Sequence, residues 1–499
     1  MSISKRFLTF VFTGIVAFSF FAAGELVAQQ QYSELKMAPG HFVGPGLKAD
    51  ATREQRKEWQ RKYGPAQSRI RSGNKTVQDV LKNGGDVKAD PKARKFLETV
   101  VFPAMTQLST LDNLGEKRQN FLKNFLDKKV TGTARARMID FTIETLQNYC
   151  INSNLHPSAR VNAVVLLSQL TDRPLSNDQA PTASGRAFGV LRTIFSGEDE
   201  KRFPEYLKVA AFTGMKNQLE MNSKAGKPLN DANVKASLVE AVMKILPVEA
   251  DSEKDAIGYW KRRQAVQFAG VLSDARTLPA LLAILNDDVS SFELKMDVVK
   301  TISKTGSMAS NQKTNSTVVA AIGQFAATAV GGEATHIAEA RDKMIQDNMQ
   351  YGLDLKQTNK SIDFQPIEED GSGRRPDPGS SNRSQAPIIE LPNYQLNISR
   401  NRLRAVAFFC PQAISAASRQ GGLDAKAKSL ADGSVAELNS LLEKANVGLV
   451  DVDVRVRGNE LRPEEKDLLR KTSYVDQMIE VCKDSAKTLN EQLSSYTAE

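Results

Sequence analysis

The chain has 499 residues, of which 41% are hydrophobic and 25% charged, and its formal net charge is +9. That balance suits a globular or solenoid protein and excludes a disordered one. Two Trp and nine Tyr provision aromatic carbohydrate platforms and base-stacking surfaces poorly. The charge excess, modest for this length, fits a solvated surface, or an acidic protein or anionic envelope component as partner, with no nucleic acid expected.

Residues 1–28 read as a secretory signal. Lys5-Arg6 is the positive n-region, Phe7 to Phe21 the apolar core, and the small residues at Gly24 and Ala28 end two alternative cleavage sites. The apolar run is shorter than the ~20 residues a spanning helix needs, and Thr9, Thr13, Gly14 and Ser19 interrupt it. The expectation is an exported chain, periplasmic, at the cell surface or secreted, with no transmembrane segment once residues 1–28 are removed. That removal takes away Lys5, Arg6 and Glu25 and leaves +8.

Residues 29–90 have little apolar periodicity and read as a basic, loop-rich N-terminal arm. Gly40, Gly44, Pro45 and Gly46 mark loop, and Gly64-Pro65 and Gly84-Gly85 punctuate further. Arg53 to Lys62 is a polar, basic helix candidate carrying a lone Trp59, too thin on its apolar face for stable membrane binding. A short helix is expected at 75–82.

Residues 91–350 carry helical periodicity almost throughout. Helices are predicted at 91–108, 116–128, 134–150, 157–170, 184–195, 203–220, 231–246, 257–273, 277–286, 291–304, 314–328 and 334–350. Pro91, Pro157 and Pro204 sit near helix starts, and strand alternation is absent. The pattern predicts an all-α fold, an α-solenoid or large helical array. Residues 351–395 change to repeated Pro, Gly, Ser and Asp and read as a disordered linker or long loop, with Arg374-Arg375 a protease-sensitive candidate. Residues 396–499 read as a smaller, mainly helical C-terminal region, with helices at 398–419, 434–445 and 463–494. Within it, Gly448 to Arg457 alternates strictly, with Val450, Val452, Val454 and Val456 on one face. This strand signal has no evident partner, which leaves it packed on helices or free to recruit another chain.

Two stretches match each other. Arg160, Ala163, Val164, Leu170 and Asp172 have the same offsets as Arg262, Ala265, Val266, Leu272 and Asp274. Each places an apolar helical stripe before a turn, and a single hairpin cannot bury two such stripes without neighbours. A basic residue, then Ala-Val, then Leu-x-Asp before a second helix resembles the HEAT-type, armadillo-like α-helical repeat. The resemblance covers 156–172 and 259–288 and extends more weakly over 91–350. It implies stacked helical hairpins in which Arg160, Asp172, Arg262 and Asp274 are structural, and a long surface that binds proteins.

No catalytic, cofactor or metal site emerges. Of the three histidines, His156 precedes Pro157 at a helix start, where a cap is expected; His336 lies beside Glu333 and Glu339 without a second such pair; and His41 has no ligand-spaced neighbour. Nucleophile-elbow, phosphate-loop and dinucleotide-binding patterns are absent. Cys150 reads as a buried thiol, while Cys410 and Cys482 are left open between a disulfide and free thiols. The expected function is non-catalytic binding or scaffolding. Lys261, Arg262 and Arg263, with Lys295 and Lys300, are the partner-binding candidates. An all-helical enzyme without a motif, and a cell-surface structural protein assembling through Val450–Val456, stand as alternatives. Nothing in the residues sets the oligomeric state.

Overall fold

The computed structural model describes residues 32–44, 47, 51–176, 179–248, 254–306, 311–349, 362–366, 393–419, 422–446, 452–456 and 463–497. Among these residues the fold is all-α, with fifteen α-helices and two small two-stranded ladders. The signal expected at 1–28, Arg374-Arg375 and most of 351–395 lie outside the described residues. The chain divides into two compact units, Met1–Glu240 with Val248–Val271, and Ala241–Pro247 with Leu272–Glu499.

The first unit begins with an extended strap, residues 32–44, where loop was expected. Its polar groups bond to distant parts of the unit. Ser33 N donates to Asn154 O at 2.8 Å, and Ala38 N to Thr99 O at 2.9 Å. Gln107 Nε2 donates to Leu35 O at 2.9 Å, Leu108 N to Glu34 Oε1 at 2.6 Å, and Arg69 Nη1 to Gly40 O at 2.9 Å. An extended segment has no internal ladder, so these bonds and its side-chain contacts are what hold it.

Helix α1, Arg53–Lys82, is a single helix of 30 residues. A capping box starts it, with Gln55 N donating to Thr52 Oγ1 and Thr52 N to Gln55 Oε1. It runs straight through Gly64-Pro65, where a break was expected. Pro65 forgoes only one helical bond, and the flanking Gly64 and Ala66 are buried. Gly73 gives α1 its close approach to Phe96, whose ring occupies the space a Cβ would need. Phe96 ends α2, Pro91–Phe96, which passes into a π turn, Leu97–Val101, and two 3-10 turns, Pro103–Thr106 and Leu108–Asn113. The continuous helix expected over 91–108 is broken because Pro103 restricts the residue before it and brings no N–H.

Helices α3 (Leu114–Phe125), α4 (Gly132–Ile151), α5 (Pro157–Ser168), α6 (Gly185–Ser196) and α7 (Glu205–Lys224) follow. Each of α4–α5, α5–α6 and α6–α7 packs in sequence order, and α5 also meets α7. Phe102 seeds the core at one end, with ring centroids 5.5 Å from Phe121 and 5.9 Å from Phe141. Between α5 and α6, in the connection expected between the helices at 157–170 and 184–195, the chain makes a small antiparallel ladder, β1 (Thr171–Arg173) with β2 (Thr182–Ala183). After α8 (Ala232–Ile245), α9 (Ala256–Leu272) packs on α7 through Phe268 and Phe212, centroids 4.9 Å apart in a T-shape.

The second unit contains α10 (Leu278–Asn286), α11 (Phe292–Thr305), α12 (Gln312–Met349), α13 (Asn393–Ala417), α14 (Ala425–Asn446) and α15 (Pro463–Thr497). Its organiser is α12, 38 residues long, which packs against each of the other five. Two helices were expected here, separated at Gly331-Gly332. Both glycines instead lie inside one continuous helix, and a Cβ on Gly331 would meet the Ala486 Cβ of α15 at an ordinary 3.6 Å. The C-terminal helices α13–α15 share one compact unit with α10–α12. The strand expected without a partner has one. β3, Ile362–Pro366, pairs antiparallel with β4, Val452–Val456, and α15 lies against β4.

Candidate interaction surface

Arg160 and Arg262, the matched basic positions, are both buried, 3% and 7% exposed. Arg160 works as a latch. Its Nε donates to Cys150 O at 2.9 Å, Nη1 to Tyr206 OH at 3.0 Å, and Nη2 to Arg202 O at 2.5 Å. It thereby ties the end of α4 and the loop before α7 to α5. The apolar partners at matching offsets, Ala163 and Ala265, Val164 and Val266, Leu170 and Leu272, are buried alike. The acidic positions each serve the start of the next helical segment. Asp172 Oδ2 accepts from Gly185 N at 3.4 Å, and Asp274 Oδ1 from Arg276 N at 3.0 Å. The turns differ. After Asp274 a 3-10 turn, Ala275–Thr277, leads straight into α10, whereas after Asp172 the β1–β2 ladder intervenes before α6. Ser273 takes a left-handed φ of 47° to make the tight version.

The five basic surface candidates are each buried, half-buried or engaged by a neighbouring group. Arg262 is buried. Lys261 Nζ pairs with Glu205 Oε1 at 2.5 Å. Arg263 lies 6.0 Å from the ring centroids of both Tyr259 and Trp260. Lys295 is half-buried, and desolvation lowers its pKa against the pull of Asp288 and Asp287. Lys300 Nζ sits 5.2 Å over the Phe409 ring. Lys261 to Arg263 belong to the first unit, Lys295 and Lys300 to the second.

A continuous exposed cationic surface lies on α1. Its sequence carries nine Lys or Arg against three Asp or Glu, which accounts for most of the net charge of +9. Arg53, Lys57, Arg61, Lys62, Arg69, Arg71 and Lys75 are all exposed. Trp59 and Tyr63 sit among them with ring centroids 5.4 Å apart, and Lys62 Nζ is 5.2 Å from the Tyr63 centroid. A basic helix bearing a half-exposed aromatic pair can hold acidic groups by charge and planar groups by contact. The sequence showed its first third and, as a separate short helix, 75–82, because Gly64-Pro65 hid the continuity that brings Arg69, Arg71 and Lys75 onto one element with Arg53 to Lys62. No protein-family model matches the chain, and no curated protein or solved structure is significantly similar to it.

Cys150, Cys410 and Cys482 are free thiols, so the Cys410–Cys482 bridge left open by the sequence is not formed. Burial pushes the Cys150 and Cys482 thiols up to about 12, far from the thiolate that reactivity needs. His156 caps α5, accepting from Ser158 N at 3.1 Å. No group of three or more His, Cys, Asp or Glu among the described residues is placed to hold a metal ion. In the second unit a cleft of ≈ 320 Å³ is lined by amides, hydroxyls and small apolar groups, among them Asn286, Gln324, Asn490, Ser494 and Tyr496. Such a lining can donate and accept hydrogen bonds.

Lys117 is the titratable group with the clearest consequence. Its Nζ donates to Ala104 O at 2.5 Å and to Thr110 Oγ1, pinning the 3-10 turns to α3. Burial lowers its pKa to about 8 from an ordinary 10.5, against the opposing pull of Asp112, Glu116 and Glu34. Between those two values the unfolded chain binds more protons than the folded one, so this group makes stability rise with pH across the window. Its contribution is fully present above 10.5 and is lost as pH falls through 8. Relative to Lys117→Met, the wild type is expected to gain denaturant midpoint between about pH 7.5 and about pH 10. A constant difference across that range would exclude the assignment.

Proposed function

We propose that the protein is an exported, non-catalytic binding or scaffold protein of HEAT-like α-solenoid type that holds an acidic protein partner on α1. The exposed cationic excess of α1 carries this reading. The matched burial of Arg160 with Arg262, and of the Ala-Val pairs that follow them, supports a repeated packing unit. The n-region, apolar core and small residues of 1–28 support export. No helix among the described residues is long and apolar enough to cross a membrane.

The test is crosslinking of the full chain in an envelope fraction, repeated across salt concentrations. A discrete protein adduct is expected at low salt. It should weaken by about tenfold or more when Arg53, Lys57, Arg61 and Lys62 are all changed to Gln, since rim charges act mainly through long-range attraction. An adduct indifferent to both salt and these substitutions would reject α1 as the docking element. Recovery of the isolated monomer alone at every salt concentration would reject the binding function.

A further inference from the structure

The β3–β4 ribbon has a property the rest of the molecule does not explain. Among the described residues β4 pairs on one side only, with β3. A two-stranded ribbon is marginal in water, and an open edge of backbone donors and acceptors is a template for another strand. The order of residues along β4 is Val452, Asp453, Val454, Arg455, Val456. It is its own complement under a two-fold rotation centred on Val454. Reversed and laid beside itself, the strand sets Asp453 opposite Arg455 twice, Val452 opposite Val456 twice, and Val454 opposite Val454. In the sequence Asp451 and Arg457 continue the same arrangement outward.

We propose that the outer edge of β4 pairs antiparallel with β4 of a second copy of this chain, in the register centred on Val454. Charge selects that register. Sliding by two residues in either direction sets Asp453 against Asp453 or Arg455 against Arg455. Sliding by one sends the Val set and the charged set to opposite faces. A parallel in-register pair opposes like charges at both positions, which is unfavourable. The existing ladder fits the extension, because β3 sets Asp363 opposite Arg455, Phe364 opposite Val454 and Gln365 opposite Asp453. The resulting four-stranded sheet has rows that alternate in charge, Asp363, Arg455, then Asp453 and Gln365 of the second copy. Between them runs an apolar row of Phe364, two Val454 and the second Phe364. This pairing is independent of what α1 binds.

Sedimentation of the full chain over a concentration series tests it, with reversible dimers expected to be populated by about 100 μM, the weak range suited to so small a contact. Asp453→Arg makes both cross-strand pairs Arg–Arg and is expected to weaken dimerisation on the order of 30-fold. Arg455→Asp, made together with Asp363→Arg to keep opposite charges within the chain, makes both pairs Asp–Asp and should weaken it as much. Mixed in equal amounts, the two variants should form heterodimers as tight as the wild-type dimer, because each Arg again meets an Asp. The milder Asp453→Asn should weaken the wild-type dimer a few-fold and serves where a reversed charge prevents folding. A wild-type chain that stays monomeric throughout, a dimer indifferent to these substitutions, or variants that fail to combine would each overturn the proposal.

Discussion

Replacing Arg402 with Met is expected to destabilise the second unit by about 3–5 kcal/mol, read as the shift of that unit's transition in urea. Arg402 on α13 reaches two helices at once. Its Nη2 is 2.9 Å from Glu293 Oε1 on α11, and its Nη1 is 3.3 Å from Glu333 Oε1 on α12. The Phe292 ring lies beneath it, 5.1 Å from the guanidinium carbon. Glu333 is 4% exposed, and its Oε2 accepts no hydrogen bond. Removing the guanidinium leaves that carboxylate buried without its cation, which is the expensive half of breaking an inward ion pair. The double variant Glu333→Gln with Arg402→Met should recover much of the loss, with a coupling of about 2 kcal/mol. Additive losses would show that Arg402 acts through packing on Phe292 alone.

Arg160→Met should cost the first unit about 3–4 kcal/mol, since it strands the Cys150 and Arg202 carbonyls in a buried place where water cannot replace the guanidinium. Tyr206→Phe removes one partner and leaves the others, so about 1 kcal/mol is expected. Arg263→Met, which touches ring faces near the surface, should stay within about 0.5–1 kcal/mol. Equal effects of Arg160→Met and Arg263→Met in a chemical denaturation series would show that Arg160 is no latch.

The helical elements were legible wherever local signals agreed. Pro157 at the first turn of α5, Pro279 at that of α10, and the apolar stripe of α11 all mark helices within a residue or two of their observed bounds. Legibility failed where glycine or proline served packing instead of punctuation. Gly64 and Gly73 in α1, and Gly331 in α12, lie inside helices, Gly73 where the Phe96 ring needs the room. Helix propensity counts glycine as a loss of about 1 kcal/mol, but it takes no account of an aromatic ring or a second helix packed against the gap. Of the interaction surface, the sequence revealed Arg53 to Lys62 but ranked Lys261 to Arg263 above it. Periodicity places Arg262 on a helix and does not say that the residue is buried. β3 was illegible because Ile362–Pro366 is short, sits in a polar stretch, and gains its strand identity only from pairing with a segment about 90 residues further along.

The strap at 32–44 bears on how the first unit comes to be made. Ser33 finds its backbone partner at Asn154, a separation of 121 residues. At ordinary elongation rates of about 5–20 residues per second, roughly 6–24 s pass between synthesis of Ser33 and synthesis of Asn154. The strap's other anchors, Arg69, Thr99, Gln107 and Leu108, are made sooner, whereas the Ser33 contact closes a long loop, which is slow compared with forming α1 to α4 locally. The middle of the strap therefore has its sites on α1 and on the turns after α2 before its first residues have theirs at the turn between α4 and α5, so the strap orders from residue 40 back toward residue 33.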